Sequence, residues 1–194
     1  YAWWVRRMAY ACTVYDVVRI DHFRGFESYF AIPAGDTTAK NGVWRKGPGM
    51  ALMDALHSRL PAARIIAEDL GYLTPEVKAL LAGSGYPGMK VLQFAFARRE
   101  AGDYMPHNYT PNSVVYTGTH DNTTTAAWEG DAAPEDVALA RAYMACGRDE
   151  ALVDAFIRTA YASVSDTAII PMQDWLALPA FARMNTPSKA EGNW

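Results

Sequence analysis

Cysteine is nearly absent: Cys12 and Cys146 are the only two in 194 residues. They stand far apart and in no metal-ligand spacing, so they read as small buried hydrophobes. Positive charge is not in excess. Eighteen Lys and Arg against 21 Asp and Glu leave a net charge of −3, which argues against a nucleic-acid-binding protein. No apolar run approaches the length of a membrane helix, and no signal peptide is visible. There is no internal repeat, no low-complexity stretch and no linker. No glycine-rich phosphate fingerprint follows the first strand, which removes the commonest sign of a nucleotide fold. The chain opens on Tyr1, and its first turn reads as a helix without an N-cap. The expectation is a segment of a longer protein.

Half of the residues are hydrophobic, enough to bury the core of one domain. Parallel strands are expected near 13–20, 64–67, 89–94, 113–117 and 167–171. Helices are expected over 1–11, 50–60, 74–82, 134–145 and 149–163. Thr74 is the N-cap of the third, with Pro75 at its first position. Strand, loop and helix recurring five times predict an α/β chain with right-handed crossovers. A doubly wound open sheet and a (β/α) barrel both fit. Acids at the ends of several strands favour the barrel, whose site lies at the C-terminal ends of its strands. Five units are not eight, so roughly three strands lie outside this sequence.

The chain is organised around Val17-Val18-Arg19-Ile20-Asp21-His22-Phe23-Arg24-Gly25. A β-branched apolar run breaks into charge and glycine, as a strand does where it enters a loop. Alternation puts Arg19 and Asp21 on one face. A structural ion pair at a strand terminus explains this stretch as well as catalysis does. Two later stretches tip the balance. Ile65-Ile66-Ala67-Glu68-Asp69-Leu70-Gly71 and Val114-Val115-Tyr116-Thr117-Gly118-Thr119-His120-Asp121 repeat the pattern. In a barrel, Asp21, Glu68 and Asp121 converge at one mouth. Two carboxylates there suit retaining glycoside chemistry, one as nucleophile and one as acid then base, and Glu68 must then carry a proton. A divalent metal on the three acids is the competing arrangement. It ranks lower, because Arg19 and His120 stand among them.

Residues 26–49 read as one long loop holding Tyr29, Phe30 and Trp44. Aromatic faces stack on sugar rings, and plain packing explains them equally well. The same pair of readings holds for His107 in the polar stretch from Arg98 to Asn112.

The strand-end stretches resemble the three catalytic segments of the amylomaltases, the 4-α-glucanotransferases of glycoside hydrolase family 77 in the α-amylase clan. Lys46-Gly47-Pro48-Gly49, Pro87 to Phe94, Pro106-His107-Asn108-Tyr109 and Arg183-Met184-Asn185-Thr186-Pro187 extend the resemblance over nearly the whole chain, in order. It implies an α/β fold that is the C-terminal part of a (β/α)8 TIM barrel, about strands 4 to 8. Residues 1–194 are then a partial catalytic domain, truncated on the N-terminal side and on the C-terminal side. It implies Asp21 as nucleophile, Glu68 as general acid/base and Asp121 as transition-state stabiliser. Arg19 and His120 contact the same sugar, and Asn185 lies in a loop that reaches the glycan. Trp44 and His107 are further substrate-binding candidates. The expected activity moves α-1,4-glucan segments from donor to acceptor by retaining double displacement. A retaining hydrolase of the same clan and a non-catalytic glycan-binding fragment are the alternatives. The implied partners are α-1,4-glucans and maltooligosaccharides, with no metal or organic cofactor, no nucleic acid and no membrane. The implied location is the bacterial cytoplasm, or a plastid if the source is a plant. The family pattern Pro-Gly-Thr is replaced by Pro187-Ser188-Lys189, and losing a glycine from a tight turn changes backbone freedom, which bears on the loop's shape and not on the chemistry.

Overall fold

Helix α1 (Ala2–Val14) starts at Tyr1 with no side-chain cap, and runs past the expected residue 11. It takes up positions assigned to the first strand, so β1 is only Val18–Ile20. These elements belong to a computed structural model that describes residues 1–71, 73–97 and 101–194. The chain is α/β and divides into two units, Tyr1–Met89 and Lys90–Trp194.

In the first unit the stretch expected as a loop forms an antiparallel hairpin, β2 (Ser28–Ala31) with β3 (Val43–Lys46). Its strands are aromatic and β-branched, while the Pro and Gly that suggested a loop sit in its turn and flanks. Helix α2 (Met50–Arg59), β4 (Ile65–Ala67) and α3 (Pro75–Ser84) follow close to expectation. Thr74 caps α3 by accepting the Val77 N–H at 3.4 Å, and Gly85 closes it at φ +68°. Strand β1 pairs parallel with β4, with Val18 opposite Ile65, Arg19 opposite Ile66 and Ile20 opposite Ala67. The Ala67 N–H donates to Pro87 O at 3.0 Å, so the chain entering β5 (Gly88–Val91) lies against β4. Ile20, Phe23, Leu52, Met53, Leu56 and Ile65 form the core beneath. Burying such side chains stabilises by about 1.5–3 kcal/mol each.

The expected third strand is shorter than the sequence suggests. It ends at Val91, and Leu92–Ala95 turn into a short helix, α4. The polar loop expected over 98–112 begins with Arg98, Arg99 and Glu100, which lie outside the described residues. The remainder carries α5 (Ala101–Tyr104) and a 3-10 turn at Pro106–Asn108. Strand β6 (Ser113–Tyr116) is buried throughout. Helix α6 (Thr125–Asp131), unforeseen in its Thr-rich sequence, is capped by Thr124, which accepts the Ala127 N–H. Then come α7 (Pro134–Tyr143), α8 (Leu152–Ala162), β7 (Thr167–Ile169) and α9 (Met172–Trp175). Strand β6 pairs parallel with β7, and the sheet order is β5-β6-β7. Phe96, Trp128 and Phe156 pack ring against ring in this unit's core. Among the described residues, no helix is long and apolar enough to cross a membrane.

Candidate active site

Strands β1 and β4 end at the same level, and continuing their register sets Asp21 beside Glu68. One regular rung follows the strands, the Glu68 N–H to Ile20 O, and the next is taken by Phe23 in place of His22, its N–H donating to Glu68 O, both at 2.9 Å, so Asp21 and His22 together oppose Glu68 as in a bulge. Alternation puts Arg19 and Asp21 on one face. Arg19 reaches Asp21 at 2.8 Å through one guanidinium nitrogen, and its Nε donates to Met89 Sδ at 3.3 Å. A cavity of 570 Å³ runs beside Arg19 and Asp21, walled by Trp4, Met8 and Tyr15 of the first helix and its end.

Glu68 is held by main chain. The His22 N–H donates to one carboxylate oxygen at 2.7 Å and the Leu70 N–H to the other at 2.9 Å. Each oxygen has two lone pairs, so one on each is left for the proton that acid catalysis moves. His22 makes its contact from the left-handed region, at φ +48°. Non-glycine residues rarely adopt that conformation, and it clusters at functional sites. Behind Glu68, the buried Asp69 accepts the Met89 N–H at 2.6 Å. A Cβ on Gly88 would lie 2.7 Å from the Asp69 carboxylate, so only glycine lets the strand pass there.

In the second unit, β6 runs out into the loop carrying His120 and Asp121. The His120 Nε2 lies 3.4 Å from an Asp121 carboxylate oxygen. Asn185 meets this pair twice, its side-chain amide donating to Asp121 Oδ1 at 2.5 Å and its N–H to His120 O at 3.0 Å. Arg183 donates to Asp121 O at 2.5 Å and to Asn185 O at 2.9 Å. The Trp194 ring lies over His120, with centroids 5.2 Å apart. Asn122 tightens the loop by accepting from the Thr119 N–H and hydroxyl.

Two candidates stand elsewhere. Trp44, on β3, lies under the Arg24 guanidinium at 4.7 Å and edge-on to Phe30 at 5.4 Å. It is more than half exposed and borders a cleft of 360 Å³ with Glu27, Lys46 and Glu76. The hydrogen bond from Lys46 holds the Glu27 carboxyl below its ordinary range, and its own N–H does the same for Glu76. His107 meets Tyr143 of α7: its N–H donates to the Tyr143 hydroxyl at 3.2 Å and its Nδ1 lies 2.8 Å from it. Sequence reasoning passes over His22, Arg183 and Trp194 as site residues. The polar run around Asn185 is a signal for Arg183, whereas nothing in the sequence marks the backbone conformation of His22. Among the described residues, no three His, Cys, Asp or Glu side chains gather as metal ligands would.

Strand-end acids on an α/β chain define a class, and the comparisons name it. The 4-alpha-glucanotransferase family model matches residues 1–194, and the chain belongs to that family. It is 48% identical to the 4-alpha-glucanotransferase of Streptococcus pneumoniae over 198 residues, covering all of this chain and 39% of that protein. It is 44% identical over 194 residues to the chloroplastic/amyloplastic enzyme of Arabidopsis thaliana, covering all of this chain and 34% of that protein. The amylomaltase of Streptococcus agalactiae in complex with acarbose superposes with a TM-score of 0.94 at 41% identity, over 99% of this chain and 39% of that one. The chain therefore spans about two fifths of the length of these bacterial relatives.

Proposed function

We propose that the complete protein is a 4-α-glucanotransferase and that residues 1–194 are the part of its catalytic domain that carries strands 4 to 8 of a (β/α)8 barrel. The observation that carries this reading is that Asp21 and Glu68 each follow the last paired residue, Ile20 and Ala67, of two parallel neighbours. Family membership supports the proposed substrate class, α-1,4-glucans and maltooligosaccharides.

Asp21, beside Arg19, attacks the anomeric carbon while Glu68 gives its proton to the departing glycosidic oxygen. The result is a glycosyl ester on Asp21 and a free glucan end. Glu68, now ionised, takes the proton from the 4-hydroxyl of an acceptor, and that oxygen displaces Asp21. Two inversions give retention, which needs the two carboxyl groups about 5–5.5 Å apart. Asp121, with His120, stabilises the positively charged sugar, and Asn185 holds Asp121 in place. Trp44 and His107 are proposed as outer substrate contacts. The proposed location is the cytoplasm for a bacterial source, or a plastid for a plant source, as in the relative named chloroplastic/amyloplastic.

The test is incubation of the complete protein with maltotriose. A transferase gives glucose plus a ladder of longer maltooligosaccharides at nearly constant total reducing ends, because each bond broken is replaced by one formed. A steady rise in reducing ends with no product longer than the substrate identifies a hydrolase. No turnover at all points to the glycan-binding alternative.

A further inference from the structure

The His120–Asp121 loop, residues 118–124, is anchored at both ends by buried polar side chains that the catalytic steps above do not use. Asp174, on α9, is 2% exposed. One of its carboxylate oxygens accepts the Thr117 hydroxyl at 2.6 Å and the Thr125 hydroxyl at 2.7 Å, and the other accepts the Thr125 N–H at 2.8 Å. Thr117 is the residue just before the loop and Thr125 the residue just after it. Gln93, on α4, ties the same two ends. Its side-chain amide donates to Thr123 O and to the Thr125 hydroxyl, both at 3.1 Å, and its N–H donates to Thr117 O at 3.2 Å. The Thr125 hydroxyl accepts from Gln93, so its own hydrogen is the one given to Asp174. A Cβ on Gly118 would lie 2.7 Å from the Gln93 amide nitrogen, so the loop's first residue is pressed against this hub.

We propose that Asp174, with Gln93, is the positioning residue of Asp121. Asp174, Gln93, Thr117 and Thr125 are all buried. A core whose only task is stability fills such a place with apolar side chains, because a buried carboxylate is tolerated only when its partners are all in place. Here every donor comes from one end or the other of the loop that presents His120 and Asp121. The hub fixes the loop's two ends, and Asn185 and Arg183 fix its tip.

The inference rests on the proposed role of Asp121, so its test has two arms. The first is kinetic. In the complete protein, Thr117→Val removes one donor at nearly constant volume, and Thr117→Ser restores it. Thr117→Val is expected to lower kcat roughly 10- to 100-fold with KM nearly unchanged, since a misplaced group is lost mainly at the transition state. Thr117→Ser is expected to recover most of it. In an Asp121→Asn background the valine substitution is expected to add little, because the residue it positions is already disabled. Equal fold-losses in both backgrounds overturn the inference, as does a loss that serine does not rescue. The second arm needs no activity: amide hydrogen exchange at residues 119–123 is expected to speed up in Thr117→Val and in Asp174→Asn, while exchange in α8 stays as in the wild type. Unchanged loop exchange overturns positioning by the hub. A wild-type protein without disproportionation overturns the functional reading instead, and the exchange arm still decides this one.

Discussion

Glu68 in the first unit and Asp121 in the second are held by different means. In the first, Glu68 is gripped by main chain, the N–H groups of His22 and Leu70, and Asp21 by one arginine. In the second, Asp121 is gripped by side chains: the Asn185 amide at its carboxylate and the Arg183 guanidinium at its carbonyl. A main-chain grip depends on backbone shape and tolerates changes of side chain, because every residue but proline supplies the N–H. A side-chain grip depends on identity. Substitutions around Glu68 are therefore expected to be milder than substitutions around Asp121, provided that the acid itself is kept.

The largest effects remove the acids. Asp21→Asn and Glu68→Gln in the complete protein are each expected to lower turnover on maltotriose by more than about 1,000-fold. Glu68→Gln is expected to keep a fast burst of fluoride from α-glycosyl fluorides, whose leaving group needs little protonation, with slow turnover after it, whereas Asp21→Asn gives no burst. Next comes the contrast itself. Asn185→Ala removes a hydrogen bond to a carboxylate, worth about 1.5–3 kcal/mol or roughly 10- to 100-fold in kcat. Leu70→Ala leaves its N–H on Glu68 and is expected to change kcat by no more than about threefold. Comparable losses from the two would break the comparison.

A smaller pair of effects separates the units by stability. Burial pushes the Tyr86 hydroxyl up to about 12, and it has no partner among the described residues. Burial raises Tyr109 too, but its hydroxyl donates to Tyr104 O at 2.8 Å. Tyr86→Phe is expected to leave stability unchanged or raise it by about 1 kcal/mol, and Tyr109→Phe to lower it by about as much. Both tyrosines are harder to ionise folded than unfolded. Each contribution is therefore full below the ordinary value of about 10 and falls as pH rises from there, for Tyr86 until about 12 and for Tyr109, which is raised further, beyond that. Thermal midpoints between pH 9 and 12 check this, and each Phe variant should flatten part of the fall.

The smallest effect concerns Ser188. It takes φ +66° at the third position of the turn Thr186–Lys189, which is closed by the Lys189 N–H to Thr186 O at 3.2 Å. The turn takes the left-handed conformation that glycine favours, and serine bears the strain there. Asn193 secures it by accepting the Thr186 N–H and donating to Thr186 O and Lys189 O. Ser188→Gly is expected to stabilise by about 1 kcal/mol at most, because glycine's freedom in the unfolded chain offsets part of the relief.

The strand-end acids were legible because β-branched runs that break into charge and glycine are local signals. So were Thr74, Pro75 and Gly85 at the ends of α3, where each residue acts on its own turn. The hairpin was hidden by the glycines and prolines around it, and the early end of β5 by an apolar run that serves strand and helix equally well. The Asp174 hub was out of reach for another reason. Its partners lie 49 and 57 residues away, and only the folded chain brings them together.

The most direct measurement is to trap the intermediate. The Glu68→Gln form of the complete protein, given an α-maltosyl fluoride, is expected to build up a glycosyl ester that the weakened second step cannot clear. Rapid acid quench, peptic digestion and mass spectrometry should then find the peptide containing Asp21 heavier by the sugar, and fragmentation should place the added mass on Asp21. An adduct on Asp121 or another residue, or fluoride release with inverted product and no adduct, would contradict the account.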